Sequence, residues 1–158
     1  MSTSLKSAAE EFLAQKRIAV AGVSRDTRQP ANLIYRRLRD SGHEVFAVNP
    51  KADVVEGAPC YASVASIPGG VDGVVVVTPA EESAHVVGDC HAAGVPRVWL
   101  HRGLGPGSLS DEAVAACHEH GIDVIPGGCP NMFGETADLG HRCMCGLLQL
   151  THKIPRQV

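Results

Sequence analysis

Short apolar runs alternate with longer amphipathic segments along most of the chain. The length of the apolar runs, and the glycine, proline and polar residues that bound them, are typical of buried strands. These predicted strands occupy residues 17–22, 43–50, 58–61, 71–79, 95–103 and 122–128. Apolar residues at helical spacing predict helices over residues 1–15, 31–42, 80–94, 108–121 and 136–150.

The alternation of strands and helices predicts the fold class. Strand, crossover helix and next strand in this order give parallel strands joined by right-handed connections. We predict an α/β fold, a three-layer, doubly wound, Rossmann-like parallel sheet that forms a single domain over residues 1–158. Residues 1–15 form its N-terminal helix and residues 131–158 a C-terminal helical tail. Ligands of such sheets bind beyond the carboxyl ends of the strands, where the strand order reverses.

Composition and charge narrow the class of ligand. Hydrophobic residues make up 44% of the chain and are mostly aliphatic, which suits buried parallel strands with closely packed helices. The formal net charge of −3 argues against a surface that binds nucleic acid over a large area. A small nucleotide needs only a few local cations. We therefore expect a small-molecule nucleotide ligand and no nucleic acid.

The sequence also predicts where the protein works. Residues 1–15 are polar and unlike a secretory signal, and no apolar run approaches the about 18 residues of a membrane-spanning helix. The six cysteines are scattered, which is typical of reduced thiols rather than of a disulfide framework. We expect a cytoplasmic protein that does not contact a membrane.

The loop after the first predicted strand has the position of a phosphate-binding turn but few of its glycines. A dinucleotide-binding turn uses a series of glycines so that the backbone can approach the pyrophosphate, and only Gly22 is present. We interpret Gly22 as the turn residue, with backbone amides and the Ser24 hydroxyl donating to phosphate at a helix N-terminus. Arg25 either adds positive charge to this site or is solvated surface.

The second predicted strand ends in Asn49-Pro50-Lys51. NAD-binding domains usually place an acidic residue there, which accepts hydrogen bonds from the ribose hydroxyls. Lys51 instead favours a ribose that carries a phosphate, as in NADP or coenzyme A (CoA). An exposed turn lysine is the alternative interpretation, but the position of Lys51 beside the expected adenosine favours the phosphate contact.

Five segments at strand ends together resemble a known family. They are residues 19–25, 45–51, 71–81, 101–105 and 127–131. In this order and spacing the chain resembles the stand-alone CoA-binding domain family, which is related to the N-terminal domain of the succinyl-CoA synthetase alpha subunit. The resemblance extends from about residue 17 to about residue 130. It implies that CoA or an acyl-CoA is the cofactor.

The resemblance also implies roles for residues at these strand ends. The turn at residues 22–25 matches the one that holds the CoA phosphates, Lys51 matches a lysine at the adenosine end, and Thr78-Pro79 match a segment along the cofactor. With the residues chosen above, the predicted cofactor-binding set is Gly22, Val23, Ser24, Arg25, Asn49, Pro50, Lys51, Thr78, Pro79 and Arg102. For Arg102 the sequence leaves two contacts open, a ligand phosphate or an acid such as Asp111 or Glu112.

Catalytic and metal-binding alternatives are weaker. The sequence contains no known nucleophile or carboxylate-pair motif, and the synthetase's second domain with its phosphorylated histidine has no counterpart, so we expect no catalytic residue. His141, Cys143 and Cys145, with Cys129 and His152 nearby in sequence, lack the spacing of a structural zinc site, and we expect no metal. An NAD(P)-linked oxidoreductase or redox sensor on the same fold remains the alternative, and a homodimer or protein partner is left open.

Overall fold

The fold is built on one sheet of seven strands. They are β1 (Arg17–Ala21), β2 (Glu44–Val48), β3 (Val54–Val55), β4 (Ala58–Tyr61), β5 (Gly73–Val76), β6 (Arg97–Leu100) and β7 (Asp123–Pro126). Their order in the sheet is β3-β4-β2-β1-β5-β6-β7. The computed structural model describes residues 3–103, 105, 107–133, 139–151, 154–155 and 157–158.

The strands of the sheet are parallel apart from one edge pair. Neighbouring strands pair in parallel across the sheet from β2 through β1, β5 and β6 to β7. β4 pairs in parallel with the other side of β2. Ala19 and Val20 of β1 pair with Val74 and Val75 of β5, and all four are fully buried because helices cover both faces. The strand order reverses between β1 and β5, which confirms the predicted doubly wound sheet.

A short edge hairpin was absent from the prediction. β3 pairs antiparallel with β4, and Val54 in this strand is 62% exposed. The two strands are joined by Glu56 and Gly57, whose φ angles of 52° and 73° fit a two-residue hairpin turn. Glutamate is uncommon with a positive φ, so this turn lacks the usual Asn-Gly or Asp-Gly signal.

Among the described residues five helices flank the sheet, as predicted. They are α1 (Leu5–Leu13), α2 (Pro30–Asp40), α3 (Ala80–Ala92), α4 (Asp111–Glu119) and α5 (Leu139–Leu150), with 3-10 turns at Val64–Ser66 and Pro130–Met132. α4 begins at the predicted cap, where the Ser110 hydroxyl accepts a 3.1 Å hydrogen bond from the amide of Ala113. The predicted start of the last helix, residues 136–138, lies outside the described residues.

The helices form two outer layers and two apolar cores. On one face α1, α2 and α5 bury Phe12, Ile34 and Leu148 in a cluster that includes Trp99. On the other face α3 and α4 bury Cys90 and Cys117 against the sheet. The three-layer arrangement is therefore confirmed.

The last helix only partly closes the core. Leu148 is buried, whereas Leu147 and Leu150 are 54% and 69% exposed. In the part of the chain that the structure describes, no helix combines the length and apolarity needed to cross a membrane.

Candidate functional site

A cleft of about 1220 Å³ opens at the carboxyl ends of the parallel strands. Its walls come from the loops after β1, β2, β4, β5, β6 and β7 and from one side each of α2, α3 and α5. We call the loops after β1 and β2 the β1–β2 side, and the loops after β5, β6 and β7 the β5–β7 side. The cleft lies where ligands of doubly wound sheets bind.

The cleft is long in the direction across the strands. Lys51 follows β2 and Asn131 follows β7, and both line the cleft. Between those strands the sheet order runs β2-β1-β5-β6-β7. These four steps of about 4.8 Å put the two ends roughly 19 Å apart. A ligand that contacts both ends must therefore be about 19 Å long.

Most of the predicted residues are brought together in this cleft. Those that line it are Gly22, Ser24, Asn49, Pro50, Lys51, Thr78 and Pro79. Val23, Arg25 and Arg102 do not line it. The Val23 side chain is fully buried in the core, and its carbonyl accepts a 3.0 Å hydrogen bond from Asn49 Nδ2.

Gly22 is required by a close approach between two strands. Its φ is +105°, and a Cβ built on it would lie 2.9 Å from the carbonyl oxygen of Val77. Its amide donates a 2.9 Å hydrogen bond to the carbonyl of Val48. Glycine here lets the chain turn from β1 into the cleft while it stays packed against β5.

Asn32, which the sequence analysis overlooked, fixes the loop after β1. Its side chain is fully buried on α2 and forms two hydrogen bonds to the backbone of Ser24. Oδ1 accepts from the Ser24 amide at 2.9 Å, and Nδ2 donates to the Ser24 carbonyl at 2.7 Å. Nδ2 also donates to Glu56 at 2.8 Å, and Glu56 forms a 2.7 Å ion pair with Arg36. The sequence signal for this role was an asparagine on the otherwise apolar face of α2, because a buried amide needs hydrogen-bond partners.

This bonding commits the backbone amide of Ser24 and leaves its hydroxyl O–H, the predicted phosphate donor, available. Its backbone amide already donates to Asn32, and its hydroxyl accepts a 3.0 Å hydrogen bond from the amide of Asp26. The first turn of α2 has no side-chain cap, and Gln29, Pro30 and Ala31 at its start line the cleft. The helix N-terminus is therefore the feature of this loop best suited to an anion.

Asn49 ties the loop after β2 to the loop after β1. Besides donating to the Val23 carbonyl, its side chain accepts a 2.9 Å hydrogen bond from the amide of Lys51. The guanidinium of Arg25 donates to the carbonyl of Lys51, so this arginine supports the second loop from outside the cleft. The backbone that presents Lys51 is thus held from both sides.

Charges are distributed unevenly around the cleft. Arg28 and Lys51 lie on the β1–β2 side, and Arg28 is paired with Asp26 at 2.9 Å. That pairing lowers the pKa of Asp26. Lys51 is exposed and forms no ion pair with any described residue. A phosphate is therefore favoured near Lys51.

The opposite wall is acidic. Glu81, Glu82 and Asp89 of α3 all line the cleft. A phosphate placed along that helix would meet like charges, which disfavours that position.

Two serines that the sequence analysis did not single out brace the β5–β7 side. The Ser108 hydroxyl donates to the Thr78 carbonyl at 2.5 Å, and the Ser83 hydroxyl donates to the Ser108 carbonyl at 2.6 Å. Both serines are almost fully buried, so these bonds join the loop after β5 to the loop after β6. Nothing in their sequence spacing distinguishes them from surface serines.

His101 is a buried, neutral imidazole in the wall of the cleft. It is 9% exposed and follows β6. Burial, with a smaller contribution from the charge of His141, lowers the pKa of His101 to about 4. At neutral pH its ring therefore offers one hydrogen-bond donor and one acceptor without a charge.

Several polar atoms on the β5–β7 side have no hydrogen-bond partner among the described residues. They are Thr78 Oγ1, Arg102 Nε and both side-chain polar atoms of Asn131, and all are buried. Arg102 forms no ion pair with Asp111 or Glu112 in the described part of the chain. Its backbone amide donates to the carbonyl of Gly128 at 2.9 Å. Of the two contacts left open for Arg102, the acid contact is therefore not made among the described residues.

The cysteines and histidines give no metal centre in the described residues, where no group of three or more ligating side chains occurs. Burial raises the pKa of Cys117 to about 11 and raises that of Cys90 further, as expected for thiols in an apolar core. His91 and His120 stack at 3.9 Å on the surface. The side chains of Cys143 and Cys145, and His152, lie outside the described residues.

Comparison with known proteins identifies the family. The model of the CoA binding domain matches residues 16–135. The chain belongs to the CoA-binding domain family. The resemblance stated from the strand-end segments is therefore confirmed, and these segments lie within the matched residues.

The relatives include both large ligases and small proteins. Acetate–CoA ligase (ADP-forming) I of Archaeoglobus fulgidus is 30% identical over 130 residues, which make up 78% of this chain and 19% of the ligase. The uncharacterized protein YneT of Bacillus subtilis is 30% identical over 114 residues, 72% of this chain and 82% of YneT. A hypothetical protein from Pyrococcus horikoshii has a similar solved structure, with a TM-score of 0.74 and 27% identity over 89% of this chain and 92% of that one. The chain thus spans about a fifth of the ligase.

Proposed function

We propose that this chain binds CoA or an acyl-CoA in the cleft and performs no catalysis of its own. The adenosine and phosphates lie on the β1–β2 side, and the pantetheine arm extends toward the β5–β7 side. The cleft's length of roughly 19 Å suits a nucleotide that carries a long arm. Membership of the CoA-binding domain family supports the choice of ligand.

Lys51 is the observation on which the proposal rests. It lines the cleft after β2, where an NAD-binding domain would have an acid, and no described acidic group pairs with it. Asn49 and Arg25 hold the backbone on either side of it. A lysine placed in this way suits the 3′-phosphate of CoA, because a phosphate and an ammonium form a charge-assisted hydrogen bond.

The N-terminus of α2 supplies the second phosphate contact. α2 is 11 residues long, and its first turn opens into the cleft without a side-chain cap. The pyrophosphate of CoA lies there, within reach of the Ala31 amide and the positive end of the helix dipole. Pro30 has no N–H, and the amides of Asn32 and Leu33 donate to the Gln29 carbonyl. The acidic residues of α3 keep the phosphates on this side.

The proposed role is that of a carrier, a sensor or a subunit whose partner supplies the chemistry. The Archaeoglobus relative, named as an acetate–CoA ligase, is about five times longer than the matched region. The match covers 19% of that ligase, and its remaining segments lie outside the match.

Calorimetric titration with CoA, NADP and NAD tests the proposal. We expect CoA to bind and NAD not to bind, and we expect Lys51→Ala to weaken CoA binding about tenfold through loss of one charge-assisted contact. Lys16→Ala is the matched control, because Lys16 is also an exposed lysine but lies at the amino ends of the strands, immediately before β1 and away from the cleft. Binding of NADP but not CoA would replace the proposal with a redox function on the same fold.

A further inference from the structure

The buried polar atoms without partners are concentrated at one end of the cleft. Thr78 follows β5, Arg102 follows β6 and Asn131 lies in the 3-10 turn after β7. Thr78 and Asn131 also line the cleft, together with His101 and Cys129. We call Thr78, His101, Cys129 and Asn131 the inner pocket. No described residue on the β1–β2 side has such an orphan atom.

Asn131 is the most informative member of the inner pocket. It is 1% exposed, and neither Oδ1 nor Nδ2 has a hydrogen-bond partner among the described residues. Helix α5, whose Met144 also lines the cleft, packs against the turn that bears Asn131. A buried amide without a partner destabilises a fold, so a retained one indicates a group that is paired when a ligand is bound.

The hydrogen-bonding groups of the inner pocket are uncharged. Asn131 offers an amide donor and acceptor, Thr78 a hydroxyl, and His101 a neutral ring that is nine-tenths buried. A free thiol is a weak donor and a weak acceptor, so the thiol end of CoA would leave these groups poorly paired. A carbonyl oxygen is a strong acceptor that pairs well with a neutral donor such as the Asn131 amide.

We propose that the inner pocket binds the acyl end of a short, uncharged acyl-CoA, with the thioester carbonyl accepting a hydrogen bond from Asn131. This inference rests on the proposed function, because it assumes that the nucleotide occupies the β1–β2 side. The position of the pocket agrees with it, since Asn131 lies about four strand spacings, roughly 19 Å, from Lys51. The physiological ligand is then the acylated coenzyme rather than free CoA.

Calorimetry with three ligands that share the same nucleotide and arm tests the inference. Acetyl-CoA has the thioester carbonyl, S-ethyl-CoA has the same size without a carbonyl, and CoA has a free thiol. We expect acetyl-CoA to bind roughly tenfold tighter than either of the others, the contribution of one hydrogen bond to a buried polar group. Equal binding of acetyl-CoA and S-ethyl-CoA would overturn the inference and leave the proposed function standing.

Asn131→Leu separates the acyl contact from the rest of the site. Leucine has no polar atoms, so the preference for acetyl-CoA over S-ethyl-CoA should disappear in the variant. A uniform weakening of all three would overturn the inference, because Asn131 would then contact the shared arm. If the variant fails to fold, the ligand preference of the unmodified chain alone decides. Absence of binding by any of the three would overturn the proposed function itself.

Discussion

The two sides of the cleft differ in how their buried polar groups are bonded. On the β1–β2 side Asn32 bonds Ser24 and Glu56, and Asn49 bonds Val23 and Lys51. On the β5–β7 side the Asn131 amide and the Thr78 hydroxyl have no partner among the described residues. Asn32 and Asn131 are equally buried, so the difference lies in pairing rather than in exposure.

From this contrast we infer that the two sides of the cleft contact different parts of one ligand. A loop whose own bonds are satisfied is held in one conformation before the ligand arrives, which reduces the entropy lost on binding. Such a loop suits the invariant nucleotide part of CoA. Loops with unsatisfied groups depend on the ligand for pairing and suit the part of the ligand that varies, the acyl end.

The largest expected effect on stability comes from replacing each of the two asparagines, Asn32 and Asn131, with leucine in separate variants. Asn32→Leu removes the hydrogen bonds to the part-buried amide and carbonyl of Ser24 and to the buried Glu56 carboxylate, and we expect the free energy of unfolding to fall by about 4 kcal/mol. Asn131→Leu removes atoms that have no partner and should leave stability unchanged or raise it by about 1 kcal/mol. Urea denaturation measures both. Equal destabilisation by the two variants would show that Asn131 is a structural residue.

The burial of His101 on the β5–β7 side predicts a pH dependence of stability. Between pH 6.5 and about 4 the unfolded chain binds a proton at His101 that the folded chain does not. The free energy of unfolding should therefore fall as the pH is lowered through this window, by up to about 3 kcal/mol.

A variant at His101 isolates this contribution. His101→Gln should give a shallower dependence of the unfolding free energy on pH than the parent. Denaturant midpoints measured across the window give the slopes. Identical slopes for the parent and His101→Gln would contradict the burial of a neutral imidazole in the cleft wall.

A smaller effect is expected from the glycine that forms the turn on the β1–β2 side. Gly22→Ala combines a strained positive φ with a 2.9 Å contact to the Val77 carbonyl, and should destabilise by about 2 kcal/mol. Gly42→Ala has a similar φ of +93° but no atom within 4 Å of the new Cβ, so about 1 kcal/mol is expected. Thermal unfolding of the pair isolates the contact. An equal loss in both would show that backbone conformation alone requires Gly22.

The fold was largely predictable because its strands are buried on both faces. Val74, Val75 and Val76 form an apolar run that is typical of a strand covered on both faces. Ser110 has the side chain of a helix N-cap and correctly predicted the start of α4. The β3 hairpin was not predictable, because its strand is two residues long and its turn uses Glu56 at a positive φ. Local sequence signals fail where tertiary contacts such as the Glu56–Arg36 ion pair support an unfavourable conformation.

Residues of the cleft were predictable where their place directly after a strand puts them at the carboxyl ends of the sheet. Gly22, Lys51 and Thr78 follow strands at the correct edge, and all three line the cleft. The burial of Asn131 was not predictable, since it depends on the packing of α5 against its turn, whereas Asn32 had one sequence signal, its place on the otherwise apolar face of α2. Arg102 follows a strand equally closely, yet it lies outside the cleft lining.

The most direct test of the account is a thermodynamic cycle between Lys51 and the 3′-phosphate. Dissociation constants are measured for CoA and dephospho-CoA with the parent chain and with Lys51→Ala. We predict that removing the phosphate weakens binding about tenfold in the parent, the strength of one charge-assisted contact, and has no further effect in the variant. An equal loss in both chains would place the 3′-phosphate away from Lys51 and contradict the assignment of the β1–β2 side to the nucleotide.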